Sequence, residues 1–193
     1  MNGDGIAFKL TPSGSDFDET IIHTFRGFDG AAPQGTLVSD TQGNLYGVTS
    51  NGGEANDGTV FELVPNPDGT WSETVLHSFG GGSDGQTPLT SLTMGTDGSL
   101  FGTTYFGGDT SCPGTCGTVF QLTNTNGTWT EQISHAFKGA AAGDGKYPQS
   151  TLVTDEQGSL YGATSDGGNG GGSCGGCIQA QFLQWHLDRE NPV

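Results

Sequence analysis

Three aspartates recur along the sequence, each directly before a glycine and four residues ahead of a proline: Asp29, Asp84 and Asp144. A carboxylate in an Asp-Gly turn often accepts a hydrogen bond from its own backbone, which is one explanation of the pattern. A ligand site is the other, because hard cations such as calcium prefer several carboxylate and carbonyl oxygens. We therefore consider these aspartates as ligand-binding residues, with calcium as the candidate divalent cation.

Three histidines recur in the same way: His23, His77 and His135. Each alternates with apolar residues in a strand-like pattern, as His77 does with Val75 and Phe79. On an outer strand this pattern predicts a packing role. If the strand instead approaches the aspartate loops, the imidazoles become metal ligands or general bases, and therefore candidate catalytic residues.

Four cysteines form two closely spaced pairs in equivalent loops of successive repeats: Cys112 with Cys116, and Cys174 with Cys177. The second pair has the spacing of a zinc finger, so zinc binding and free thiols remain alternatives. Equivalent loops of neighbouring repeats should lie apart, which favours two local disulfides. Such disulfides suit an exported protein.

Charge restricts the classes of partner. Lys and Arg total 5 against 21 Asp and Glu, for a formal net charge of −16. This surface repels phosphate backbones, so nucleic acid is excluded and an anionic membrane is disfavoured. Cations, neutral sugars and basic surfaces are favoured. No apolar run reaches the roughly 18 residues of a membrane span, and we expect neither membrane insertion nor a signal peptide in this chain.

The elements that must position these residues are repeats. Phe8, Phe61 and Phe120 each begin a Phe-x-Leu segment, and the period of about 55 residues is typical of propeller blades. Within one repeat, four short segments rich in β-branched and aromatic residues lie between turn residues. They cover 36–39, 45–49, 59–64 and 73–79. The sequence therefore predicts an all-β protein of four-stranded antiparallel blades.

The repeats occupy residues 1–177 and amount to about three blades. The divisions are a half blade at 6–25, blades at 33–79 and 88–137, a half blade at 148–165, and a non-repeat tail at 178–193. Propellers typically close with four to eight blades. We therefore predict that two copies close as a six-bladed homodimer, in which the half blades complete each other. We expect the tail not to belong to the repeats. A substitute third strand is the alternative, since Phe182 falls near the repeated phenylalanine position.

A family resemblance rests on four motifs: Gly58-Thr59-Val60-Phe61, Leu76-His77-Ser78-Phe79, Asp84-Gly85 and Gly98-Ser99-Leu100-Phe101-Gly102-Thr103-Thr104. They resemble the tandem GloVer repeat over residues 5 to 177. The resemblance implies a fragment of a large exported bacterial protein, secreted or held at the cell surface. It implies no activity. The segment 40–46 is also similar to hairpins in six-bladed propellers of the paraoxonase and gluconolactonase kind.

Two functions follow as hypotheses. The first is an exported propeller module that binds a small molecule, a glycan or a surface partner on an acidic loop face. The alternative is a metal-dependent hydrolase of esters, lactones or phosphotriesters, with the site at the channel mouth. In that case the repeated aspartates hold the cation and the repeated histidines are the catalytic candidates. The alternative rests on analogy between folds.

Overall fold

The computed structural model describes residues 3–112, 115–168 and 179–183. These residues form an all-β protein with antiparallel pairing, as predicted. The strands are β1 Ile6–Ser13, β2 Asp16–Thr24, β3 Ala31–Ser39, β4 Leu45–Asn51, β5 Thr59–Pro65, β6 Trp71–Ser78, β7 Gln86–Pro88, β8 Thr93–Met94, β9 Leu100–Phe106, β10 Thr118–Thr125, β11 Thr128–Ala136, β12 Gly145–Pro148, β13 Val153–Thr154, β14 Leu160–Gly167 and β15 Gln179–Leu183. Within the described ranges, no helix is long and apolar enough to cross a membrane.

The strands form four sheets that follow one another along the chain. The first sheet is β1–β2, and the second is β3–β4–β5–β6. The third has the order β11–β10–β9–β7, with β8 also paired to β9. The fourth has the order β12–β14–β13, with β15 paired to the other edge of β14. The blade number and the closed ring stay predictions.

The register repeats from the second sheet to the third. Gly47 lies opposite Phe61, and Gly102 lies opposite Phe120. A Cβ atom on Gly47 would lie 2.5 Å from Cζ of Phe61, so the glycine leaves the space that the aromatic ring fills. Both phenylalanines are fully buried. The glycine–phenylalanine pair fixes the register of β5 against β4 in the second sheet and of β10 against β9 in the third.

The hydrophobic core lies in layers between successive sheets. In one layer, Phe25, which directly follows β2, packs against Phe61 of the second sheet, with their ring centroids 5.0 Å apart. The next joins Phe79 to Phe120 in the same edge-on geometry, at 5.1 Å. Burial of a phenylalanine side chain stabilises a fold by about 1.5–3 kcal/mol. Each sheet is therefore held mainly by the sheets before and after it in the chain.

Strand β15 lies in the segment that the repeat pattern does not match. It extends along β14 with Gln181 opposite Gly162 and Phe182 opposite Tyr161. Phe182 is thus one residue away from the register of the repeated phenylalanines, which lie opposite a glycine. The segment joins the fourth sheet without reproducing the repeat. The proposed domain limits stay a prediction.

Candidate functional site: repeated His–Asp–Glu clusters

Each repeated histidine is hydrogen-bonded to one repeated aspartate. The bonds join Nε2 of His23 to Asp29 at 3.1 Å, His77 to Asp84 at 3.1 Å, and His135 to Asp144 at 3.0 Å. The histidine lies near the end of the outer strand of one sheet, and the aspartate lies in the loop that leads into the next sheet. The sequence left open whether the histidine strand approaches the aspartate loops, and the structure places each histidine against an aspartate.

The same aspartates also hold their own loops. Asp29 Oδ1 accepts the backbone N–H of Arg26 at 2.7 Å, and Asp84 Oδ2 accepts that of Gly80 at 2.6 Å. The turn-capping role and the contact with histidine therefore coexist on one carboxylate. Because both oxygens are engaged, the aspartate fixes the position of the imidazole ring.

A glutamate from the following sheet completes two of the three pairs. Glu73 on β6 joins His23 and Asp29, and one ligand atom of each lies within 4.8 Å of the others. Glu131 on β11 joins His77 and Asp84 within the same limit. We call these the first and second clusters. Sequence reasoning missed both glutamates, although each lies opposite the leucine of its Phe-x-Leu segment.

Burial changes the protonation of these glutamates. It raises the pKa of Glu73 to about 7, and the negative charge of Asp29 adds to the shift. Burial likewise raises the pKa of Glu131 to about 7, with a contribution from Asp84. Among the described residues, neither Glu73 Oε1 nor Glu131 Oε1 has a hydrogen-bond partner, although both atoms are buried. A buried polar atom without a partner destabilises the fold, so each cluster favours a proton or a cation beside this oxygen.

Both clusters border open clefts. The cleft at the first cluster has a volume of about 470 Å³ and is lined by His23, Asp29 and Glu73, together with Arg26 and Phe28. The cleft at the second cluster has a volume of about 560 Å³, with Asp84 and Glu131 in its wall. A zinc ion held by three protein ligands beside an open cleft would keep a position for water or another ligand.

One family of repeat proteins matches the sequence of this chain. The model of the Gloeobacter/Verrucomicrobia repeat matches residues 1–180. The chain belongs to the Gloeobacter/Verrucomicrobia repeat family. This confirms the resemblance to the GloVer repeat. No curated protein matches this member of the family.

Each repeated aspartate lies beside its own histidine. Each cluster contains one of them, and among the described residues no group of possible metal ligands contains more than one of Asp29, Asp84 and Asp144. The third pair, His135 with Asp144, has no glutamate beside it in the described part of the chain. The ligand, metal and catalytic roles of these residues stay predictions.

One of the two expected disulfides lies in the described residues. Cys112 and Cys116 are disulfide-bonded, with their Cα atoms 6.0 Å apart and both residues buried. This pair of the Gloeobacter/Verrucomicrobia repeat protein therefore offers no thiolate to zinc. Cys174 and Cys177 lie outside the described residues.

Proposed function

We propose that this chain is a non-catalytic propeller module that binds divalent cations in its His–Asp–Glu clusters and uses them to hold an extracellular ligand. The observation that carries the proposal is the buried glutamate oxygen without a partner, placed beside an imidazole and a carboxylate in two successive repeats. Antiparallel sheets of two to five strands that follow one another along the chain support a propeller arrangement.

The donor set favours a transition-metal ion over calcium. Each cluster offers one imidazole nitrogen and carboxylate oxygens from two residues. Imidazole suits zinc and similar ions, whereas calcium takes six to eight oxygen ligands. Two carboxylates also compensate the positive charge of the ion. We therefore propose zinc as the first cation to test.

The charge of the protein supports a neutral glycan or a basic surface partner as the ligand. The net charge of −16 repels anionic partners and attracts cationic ones. A cation with three protein ligands retains a position for a sugar hydroxyl or a partner side chain. The Cys112–Cys116 disulfide supports an oxidising compartment, hence a secreted or cell-surface location.

Equilibrium dialysis of chelator-stripped protein against zinc tests the proposal. We expect Glu73→Gln and Glu131→Gln each to lose about one bound cation per chain, because each removes a charged ligand from a different cluster. The matched control is Glu156→Gln, an exposed glutamate in the turn before β14. Equal zinc binding by all four proteins would refute the proposal.

A metal-dependent hydrolase is the second candidate, favoured by the open cleft beside the first cluster. There a bound cation would polarise a substrate oxygen or lower the pKa of a bound water. Turnover of a chromogenic ester, lactone or phosphotriester should then disappear with chelator and in the His23→Ala variant. A zinc-loaded protein that turns over none of these substrates supports the binding module.

A further inference from the structure

Glu19 occupies the glutamate position of the repeat in the first sheet. It lies opposite Leu10, as Glu73 lies opposite Leu63 and Glu131 lies opposite Leu122. Glu73 and Glu131 complete clusters with the sheet that precedes their own. Glu19 is exposed on β2 and belongs to no cluster of the described residues.

The face around Glu19 is apolar and open. Phe8 is 51% exposed, Leu10 49% and Ile21 56%. The equivalents of the first two in the second sheet, Phe61 and Leu63, are 1% and 0% exposed because the first sheet covers them. The repeat itself therefore shows what covers such a face: the outward face of another sheet of the same kind.

The complementary position lies in the fourth sheet, beside the His135–Asp144 pair. In both complete clusters the glutamate is on the outer strand of the sheet that begins directly after the aspartate. The sheet that begins after Asp144 is the fourth, and within the described residues no strand follows β15 in it. His135 and Asp144 consequently form a pair at the position where a cluster is expected.

In the fourth sheet, the residue paired with the corresponding glycine is not a phenylalanine. A Cβ on Gly47 would meet the ring of Phe61, whereas the described side chains that a Cβ on Gly162 would meet are those of Leu152 and Ser150. Opposite Gly162 lies Gln181 of β15, where the second and third sheets have phenylalanine. Phe8 lacks the glycine that the other repeated phenylalanines face. Among the described residues, β1 is paired with β2 and not with a strand equivalent to β4.

We propose that β1–β2 of a second copy of this chain completes the fourth sheet and that Glu19 of that copy completes a third cluster with His135 and Asp144. The β1 strand of the second copy replaces β15 as the partner of β14, with Phe8 opposite Gly162. The exchange is reciprocal, so two such contacts form around a two-fold axis. The inference rests on the proposed cation binding, to which it adds a site shared between two copies.

Native mass and bound zinc, measured on the same samples, test this inference. The full chain, stripped with chelator and dialysed against zinc, should have twice the monomer mass of 19.8 kDa by light scattering. Glu19→Gln should keep that mass and lose about one zinc per chain relative to the unsubstituted chain. Asp18→Asn is the matched control: it removes the same charge from the adjacent exposed residue, and should lose none.

A second variant tests the packing. Phe8→Ser with Ile21→Ser should give a monomer that has lost the same single zinc, while both residues are already exposed in the isolated fold. A monomeric unsubstituted chain, or a dimer in which Glu19→Gln loses no zinc, would overturn the inference. The two failures differ in one variant. If the shared site is wrong but the clusters bind cations, Glu73→Gln still loses zinc; if the clusters bind no cation, Glu73→Gln loses none.

Discussion

Replacement of Glu73 by glutamine should make the metal-free protein more stable at pH 8 and leave its stability unchanged near pH 5. The carboxyl group is half-buried, and burial raises its pKa from 4.5 to about 7, with Asp29 adding to the shift. Between these two values the folded state binds the proton and the unfolded state releases it. The free energy of unfolding therefore falls as the pH rises through this window, and the loss is complete above about pH 7.

The size of the effect follows from the shift. Each pKa unit corresponds to about 1.4 kcal/mol, so the full shift would give about 3 kcal/mol. Partial exposure of the carboxyl group screens the charge and reduces this to about 1–2 kcal/mol. Glutamine keeps the shape of the side chain without the charge. We therefore expect the variant to gain about 1–2 kcal/mol at pH 8.

Urea denaturation with chelator present, at pH 5, 6, 7 and 8, measures this difference. Glu131→Gln should show the same pH dependence, because its carboxyl group has the same raised pKa beside Asp84. Glu156→Gln, in an exposed turn, should show none. A Glu73→Gln variant that is less stable at pH 8, or a difference that does not change with pH, would refute the electrostatic account of the cluster.

Two further predictions concern the fold. Gly47→Ala should cost about 1–3 kcal/mol in urea denaturation, because the added methyl group lies 2.5 Å from the buried ring of Phe61, whereas Gly3→Ala, with nothing within 4 Å, should be neutral. An equal effect of the two substitutions would contradict the packing argument. Joint replacement of Cys112 and Cys116 by serine should cost about 2 kcal/mol, since the disulfide closes a short loop. Reducing agent should lower the stability of the unsubstituted protein equally, and no change would contradict this estimate.

The strands were predictable because their determinants are local. Segments such as 59–64 combine β-branched and aromatic residues between glycine and proline turns, and β5 forms there. For the tail, the sequence left a substitute third strand as an alternative without fixing its register. Strand β15 pairs with the strand before it, as β10 does with β9, but its residues do not repeat those of β5 or β10.

The candidate site was predictable in part. Both His77 and Asp84 stand out as repeated residues, but their contact depends on how the loop after β6 turns back on the strand. Glu131 was missed because its partners belong to the preceding sheet, and only the stacking of sheets brings them within reach. The register of the repeat contains this information, since the glutamate always lies opposite the leucine of Phe-x-Leu.

Anomalous X-ray diffraction from crystals grown with zinc shows whether the repeated clusters hold divalent cations. We predict anomalous peaks about 2.0–2.2 Å from the imidazole nitrogen and carboxylate oxygens of both clusters. The first peak should contact His23, Asp29 and Glu73, and the second the equivalent residues one repeat later. Zinc peaks elsewhere, with none at either cluster, would contradict the account.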